Sequence, residues 1–304
     1  MTGGRRLVVA AVLAAAVGVA PSAQQVFRGG TDVVLLNVSA VDGKGRPVAG
    51  LERGAFQVFE DGIPQEVTIF SRDAQPIALS LLLDTSTSME AKLRIAQEGA
   101  SGFIERLGPQ DVAQVINFDT KALIAAPFTN DRQVLERAIR KTEAGGQTSL
   151  YDALYIALDG LNRAPKPSPD AVRRQAIVLL SDGEDTSSLT EYADVLALSK
   201  RSEVIVFAIY LKAQEPPNGW NEAEYVMRSL ALETGGRVFP VTDFAHLPAT
   251  YAQIADDLAS QYTLGYRSKN LRRDGAWRRV VVQIQGGVAA ARTKSGYFAP
   301  NKGR

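Results

Sequence analysis

The sequence predicts an α/β fold: a doubly wound, mostly parallel sheet with one antiparallel edge strand, plus a small β domain built from the flanking segments. Three observations carry this prediction. From Pro76 to Leu258, near-continuous apolar runs alternate with stretches whose apolar residues recur at helical spacing. That alternation marks a parallel sheet covered on both faces. "VINFDTKALI" joins two strand-like runs too tightly for a parallel crossover, so one of them is an antiparallel edge. On either side, residues 31–72 and 261–299 read as strands alone.

Taken in order, the chain opens on "MTGGRRLVVAAVLAAAVGVAPSAQQ". Two arginines precede an apolar run from Leu7 to Ala20, and small residues follow, which is the layout of a secretory signal peptide. The run is shorter than the roughly 20 apolar residues of a spanning helix. The expectation is a signal peptide at 1–23, cut between Ser22 and Gln24, and an exported product, periplasmic or secreted, with no stable membrane span. The alternative is an anchor that stays uncleaved.

Residues 31–72 hold "DVVLLNVSAVDGKGRPV", a strand that turns at Asp42-Gly43. "AFQVFEDGIPQEVTIFS" then alternates, turns at Asp61-Gly62 and resumes as a strand, a good hairpin signal. The "GKG" at 43–45 is a turn, because it lacks the glycine spacing of a phosphate loop. "IALSLLLD" reads as a strand buried on both faces, and Leu93, Ala96, Ala100, Phe103 and Leu107 as a helix. "DVAQVINF" and "KALIAAPF" are the tightly joined strands. Helices follow around Val134–Ile139 and Leu150–Leu161, then the strand "QAIVLLSD", a helix near 189–200 and the strand "EVIVFAIYL". A helix near 222–234, the short strand "GRVFPV" and a helix through Leu247, Tyr251, Ile254 and Leu258 complete the unit at 76–258. "QYTLGYRS", "WRRVVVQIQ" and "GYFAP" are strands again. Neither flank has enough strands to build an apolar face alone, so 261–299 is expected to pair with 31–72.

Composition narrows the function. The net charge is +1, with no long basic run, so nothing points to nucleic acid. There is no cysteine, which removes disulfides, thiolate nucleophiles and cysteine metal sites. The single histidine, His246, removes HExxH zinc chemistry and leaves any Ser-His-Asp triad dependent on one residue. That histidine reads as a surface or partly buried residue at a helix start. Trp277 and Tyr266 read as facing a β core, and Trp220 as sitting on an insertion that packs or contacts a partner.

In open α/β sheets ligands bind beyond the carboxyl ends of the strands. Three oxygen-rich turns fall there: Asp84-Thr85-Ser86-Thr87-Ser88, "EAGGQTSLYDAL" with Thr148, and "VLLSDGEDTSS" with Asp182. Alternate residues of an extended turn share a side, so Asp84, Ser86 and Ser88 converge. Two carboxylates and three hydroxyls are hard oxygen donors, suited to Mg²⁺ or similar ions rather than zinc or copper. The simpler reading of the serines is helix capping, which needs only one hydroxyl. Ser149 through Asp152 has the form of a capping box that orients the Thr148 turn. Glu184 and Asp185 read as solvated loop residues, and Asp119 as serving a strand turn.

"DTSTS", Thr148 in "GGQT" and Asp182 in "LLSDG" together resemble the metal-ion-dependent adhesion site (MIDAS) of von Willebrand factor type A (VWA) domains. The α/β order over 76–258 is similar as well, and the flanks look like those of an exported bacterial subgroup. The resemblance implies a Rossmann-like VWA fold. It implies a divalent cation, Mg²⁺ or alternatively Mn²⁺ or Ca²⁺, held by Asp84, Ser86, Ser88, Thr148 and Asp182. Ser86 and Ser88 would bind directly, Thr148 directly once a ligand engages, and the aspartates directly or through water. A partner protein would supply a Glu or Asp to the open position. Residues 244–260 match a helix that shifts in some relatives. Integrin β subunits carry two aspartates just beyond this motif that hold an adjacent calcium. Here Ala91 and Lys92 stand there, so no second metal is expected.

The expected function is therefore a non-enzymatic binding or adhesion module. A structural or assembly component of the cell envelope with a stabilising metal is the alternative. A Mg²⁺-dependent hydrolase is the third reading. Haloalkanoate-dehalogenase-type phosphatases also end a strand in Asp, but want a second Asp two residues on, where this chain has Ser86.

Overall fold

The structure is a computed structural model that describes residues 33–165, 173–211, 222–287 and 289–301. The expected signal peptide with its cleavage point, and Trp220, lie outside the described residues. The described residues fall in one compact unit.

The chain enters through β1 (Val33–Val41), β2 (Phe56–Glu60), β3 (Ile63–Gln65) and β4 (Val67–Ser71). The α/β portion follows: β5 (Ile77–Asp84), α1 (Leu93–Ile104), β6 (Val112–Phe118), β7 (Ala122–Thr129), α2 (Arg132–Arg140) and α3 (Leu150–Asn162). It continues with β8 (Arg174–Ser181), α4 (Tyr192–Arg201), β9 (Val204–Leu211), α5 (Glu222–Thr234), β10 (Arg237–Val241) and α6 (Leu247–Ala259). The chain returns to strands in β11 (Tyr262–Arg267), β12 (Trp277–Ile284), β13 (Ala290–Arg292) and β14 (Gly296–Phe298).

The central sheet has the order β10-β9-β8-β5-β6-β7. All its pairs are parallel except β6–β7, the antiparallel edge. Every residue of β5 and β9 is buried, because alternate residues feed different cores. Leu79, Leu81 and Leu83 pack with residues of α1, α2 and α6 on one face. Ala78 and Leu82 pack with α3, α4 and α5 on the other. From β5 the chain moves outward through β6 to β7, then returns to the opposite side of β5 with β8. The strand order therefore reverses at β5, and the crevice beyond the carboxyl ends of β5 and β8 is the topological switch point.

The flanking strands form two four-stranded sheets, β13-β1-β11-β4 and β14-β12-β2-β3. β1 pairs antiparallel with β11, Leu36 opposite Leu264, and β2 pairs with β12, Val58 opposite Val282. Leu36, Val38, Phe56, Val58, Tyr262, Leu264, Tyr266, Val280 and Val282 share the core between them. The Asp61-Gly62 turn has both residues at positive φ, +47° and +81°, as a two-residue hairpin of the favoured hand requires. The strand after that turn breaks at Glu66 into β3 and β4, which serve different sheets. β13 has no counterpart in the sequence reading, since three residues of "AAR" carry no period.

Tyr266 is buried in this core, with its hydroxyl donating to the buried Glu60 at 2.9 Å. Trp277 departs from expectation. It lies on the face of β12 opposite Val280 and Val282, edge-on to Phe298 at 4.9 Å, with the Lys200 ammonium above its ring. His246 is exposed and immediately precedes α6.

A buried polar seam joins α6 to the flanking sheets. Asp257 accepts from Ser39 Oγ of β1 at 2.6 Å and pairs with Arg292 of β13. Arg174, buried at the start of β8, donates to the carbonyls of Leu258 at 3.1 Å and Gln261 at 2.8 Å. Among the described residues, no helix is long and apolar enough to cross a membrane.

Candidate metal centre

The site grows from the end of β5. Asp84 is fully buried, opposite Phe118 of β6. Its Oδ1 accepts the Ser86 backbone N–H at 2.8 Å, which curls the chain back over the strand end. Its Oδ2 accepts the Ser181 hydroxyl from the end of β8. Burial pushes the Asp84 carboxyl above its usual range. The hydrogen bonds from Ser181 and Ser86 oppose this, and the charge of Asp182 adds to it. Among the described residues, Asp84 makes no ion pair.

Beyond Asp84 the hydroxyls line up. Ser86 Oγ and Ser88 Oγ share a hydrogen bond at 3.0 Å, and Ser88 Oγ donates to Asp182 Oδ1 at 2.7 Å. Ser86 precedes a short 3-10 turn at Thr87–Met89, yet its side chain makes no capping hydrogen bond there. Capping therefore does not explain it. Asp182 follows the last residue of β8, and its Oδ2 pairs with the Lys92 ammonium just before α1.

Thr148 arrives on a loop that lies flat against the β5 turn. Gly145 N–H donates to Thr85 O at 2.8 Å, and the Thr87 hydroxyl to Gly146 O at 2.9 Å. Gly146 has φ +74°, and a Cβ there would meet Thr120 Oγ1 at 2.5 Å, so the approach needs glycine. Thr148 O accepts from the N–H groups of Thr186 and Ser187, which clasps the loop after β8 to it. A methyl group placed on Gly183 would lie 3.6 Å from the Thr148 hydroxyl, which puts that oxygen beside the Asp182 turn. All five sequence-predicted residues thus gather at the switch point.

The surrounding loops correct two expectations. Ser149 makes no capping hydrogen bond, and its buried hydroxyl has no partner. Asp152 instead accepts from the N–H groups of Leu189 and Thr190, at 3.2 and 2.9 Å. Asp185 is no freely solvated residue. It accepts from Tyr151 N–H at 3.1 Å, so it caps the start of α3 from another loop, and from the Ser188 hydroxyl at 2.5 Å. Glu184 is exposed and accepts from Glu222 N–H at 3.1 Å. Asp119 accepts from Lys121 N–H at 3.1 Å, within the turn between β6 and β7.

Sequence reasoning missed Ser181 as a partner of Asp84 and registered Lys92 only as a missing aspartate. Lys92 stands four residues after Ser88, in the turn that leads into α1, and nothing local in the sequence marks it as a partner of Asp182.

The donor set fits a hard cation. Among the described residues, no group of three or more His, Cys, Asp or Glu side chains gathers, so hydroxyls must supply much of any shell. A buried carboxylate without a cation of its own, close enough to a second for their charges to interact, is an arrangement a divalent ion relieves.

Residues 79–184 match the family model described as von Willebrand factor type A domain. Among solved structures the chain is similar to a von Willebrand factor type A protein from Catenulispora acidiphila, at 13% identity over 91% of this chain and 76% of that one, with a TM-score of 0.53. It is similar to proximal thread matrix protein 1 from the mussel byssus, solved with a zinc-occupied MIDAS motif: 18% identity, 66% of this chain, 49% of that one, TM-score 0.51. A mutant of the PilB minor pilin from Streptococcus sanguinis has 15% identity over 61% of this chain and 62% of that one, with a TM-score of 0.50. At these identities the likeness is one of fold. The chain spans about half the length of the mussel protein and under two thirds of the pilin. No curated protein sequence matches the chain.

Proposed function

The central sheet and its loops form a von Willebrand factor type A domain, and from that premise we propose an exported, non-enzymatic module that captures a partner protein through a divalent cation. The observation that carries this reading is the convergence of Asp84, Ser86, Ser88, Thr148 and Asp182 at the switch point. The two serines and Thr148 supply neutral oxygens, and Asp84 and Asp182 supply the charge. Mg²⁺ suits such a set, since it keeps several waters and takes few direct carboxylates, with Mn²⁺ and Ca²⁺ as alternatives. When bound, the ion supplies a Lewis-acidic position that a Glu or Asp of the partner completes. A structural envelope role, with the ion only stabilising the fold, is the second reading. Two solved proteins of similar fold, a minor pilin and a byssal matrix protein, support a role in assembly or adhesion.

The carboxylate beside Ser88, that of Asp182, is itself paired with Lys92, which argues against its acting as a base. Ser86 and Ser88 already lie in a hydrogen-bond chain that ends on Asp182, and His246 is exposed beside Asp243, outside that chain. The apolar N-terminal run is the basis for proposing export.

The test is a pull-down from the native envelope fraction with and without chelator, using wild type and Asp84→Ala. Captured protein that is lost with chelator and in the variant, and restored by Mg²⁺, supports the binding module. Cation-independent capture refutes it. Calorimetric titrations with Mg²⁺, Mn²⁺, Ca²⁺ and Zn²⁺ rank the ions.

A further inference from the structure

The loop that carries the serines brings a cation of its own. Lys92 lies four residues beyond Ser88, in the turn before α1, and its ammonium pairs with Asp182 Oδ2 while Ser88 donates to Oδ1. The pair is sheltered: the Lys92 side chain is 16% exposed and that of Asp182 4%. The ring of Phe244, in the turn before α6, lies 5.7 Å from Lys92 Nζ. The ammonium thus lies between the carboxylate and the aromatic face.

We propose that Lys92 is a tethered counter-cation that weakens the site's grip on a divalent metal and strengthens the bound metal's grip on an incoming carboxylate. This rests on the metal-binding reading above. Asp84 and Asp182 together balance one divalent ion. Lys92 adds a positive charge, so the loaded site carries a surplus of one. Inside a sheltered site, charges act on each other several-fold more strongly than in water. The same surplus that repels the metal attracts an anion, which tilts the module toward acidic partners. Lys92 also holds Asp182 in place before any ion arrives. It is a positioning residue that sets specificity, and the chemistry it selects is a carboxylate-bearing protein surface.

The experiment uses the full chain as wild type, Lys92→Met, Lys92→Gln and Lys92→Arg. Calorimetry measures Mg²⁺ and Mn²⁺ binding, and water-proton relaxation of the Mn²⁺-loaded protein measures acetate binding. The neutral variants are expected to bind Mg²⁺ at least about tenfold more tightly than wild type, and acetate more weakly once loaded. The arginine variant, which keeps the charge, stays within about threefold of wild type. The metal-free neutral variants melt at lower temperature, because the sheltered Asp182 carboxylate loses the ammonium that pairs with it, a readout that needs no metal. Equal or weaker Mg²⁺ binding by both neutral variants overturns the proposal and leaves the metal site standing. No binding by wild type or either neutral variant, all folded by circular dichroism, overturns the metal-site reading and the proposal with it.

Discussion

Asp84 is held at the end of the central strand by one backbone N–H and one serine hydroxyl, and burial disfavours its charge. Replacing it by Asn removes a buried charge and keeps an oxygen for the Ser86 N–H. Asp84→Asn is therefore expected to abolish cation binding in calorimetry while the metal-free protein melts no lower than wild type. Loss of both binding and stability would make Asp84 a structural residue instead. Arg174 is the opposite case. Burial pushes its guanidinium down to about 10, still charged at neutral pH, and it satisfies the carbonyls at the end of α6. Arg174→Ala leaves those carbonyls unpaired and opens a cavity, with an expected cost of about 3 kcal/mol in urea unfolding. In sequence the two residues look unlike their roles. The Asp follows an apolar run and is legible as a strand end. The Arg sits beside Arg173, and nothing local tells which of the pair turns inward.

At the scale of elements, the loop from Thr142 to Ser149 decides whether Thr148 reaches the site. Gly146 lets it lie against Thr87 and Thr120 at positive φ. Gly146→Ala is expected to cost about 1–2 kcal/mol in thermal or urea unfolding and to weaken cation binding by displacing Thr148. Unchanged affinity would remove Thr148 from the proposed ligand set. The start of α3 teaches a related lesson. Ser149 and Asp152 have the spacing of a capping box, yet Asp185 caps the helix and Asp152 binds the loop after β8. The pattern was present, but a loop from another strand supplied a better-placed acceptor. Strand and helix types were largely legible, because period 2, period 3.6 and unbroken apolar runs are local signals. β13 and the break at Glu66 were not, since segments of three residues carry no period.

For the whole molecule, the seam through Asp257, Ser39, Arg292 and Arg174 couples the α/β portion to the flanking sheets. A 31–304 chain is expected to unfold in one calorimetric transition. A 76–258 fragment lacks Ser39, Gln261, Thr263 and Arg292, which strands Asp257 and leaves Arg174 only the Leu258 carbonyl of these partners, so it should melt at least about 5 °C lower. Two separate transitions in the longer chain, with the fragment unchanged, would show that the seam carries no coupling. The same seam holds the C-terminal end of α6, while Phe244 at its start touches Lys92.

By itself the sequence determined the α/β alternation, the antiparallel edge and the oxygen-bearing strand ends, and it excluded cysteine chemistry. These follow from the order of residue types along short stretches, where the geometry of one strand or helix turn is enough. Tertiary structure alone decided which strands of the two flanks meet, since β1 and β11 lie more than two hundred residues apart. It alone brought Ser181 to Asp84, Asp185 to the start of α3 and Lys92 to Asp182. Such pairings depend on how whole elements pack. A buried carboxylate takes whichever donor the packed fold delivers, and no local pattern names it in advance.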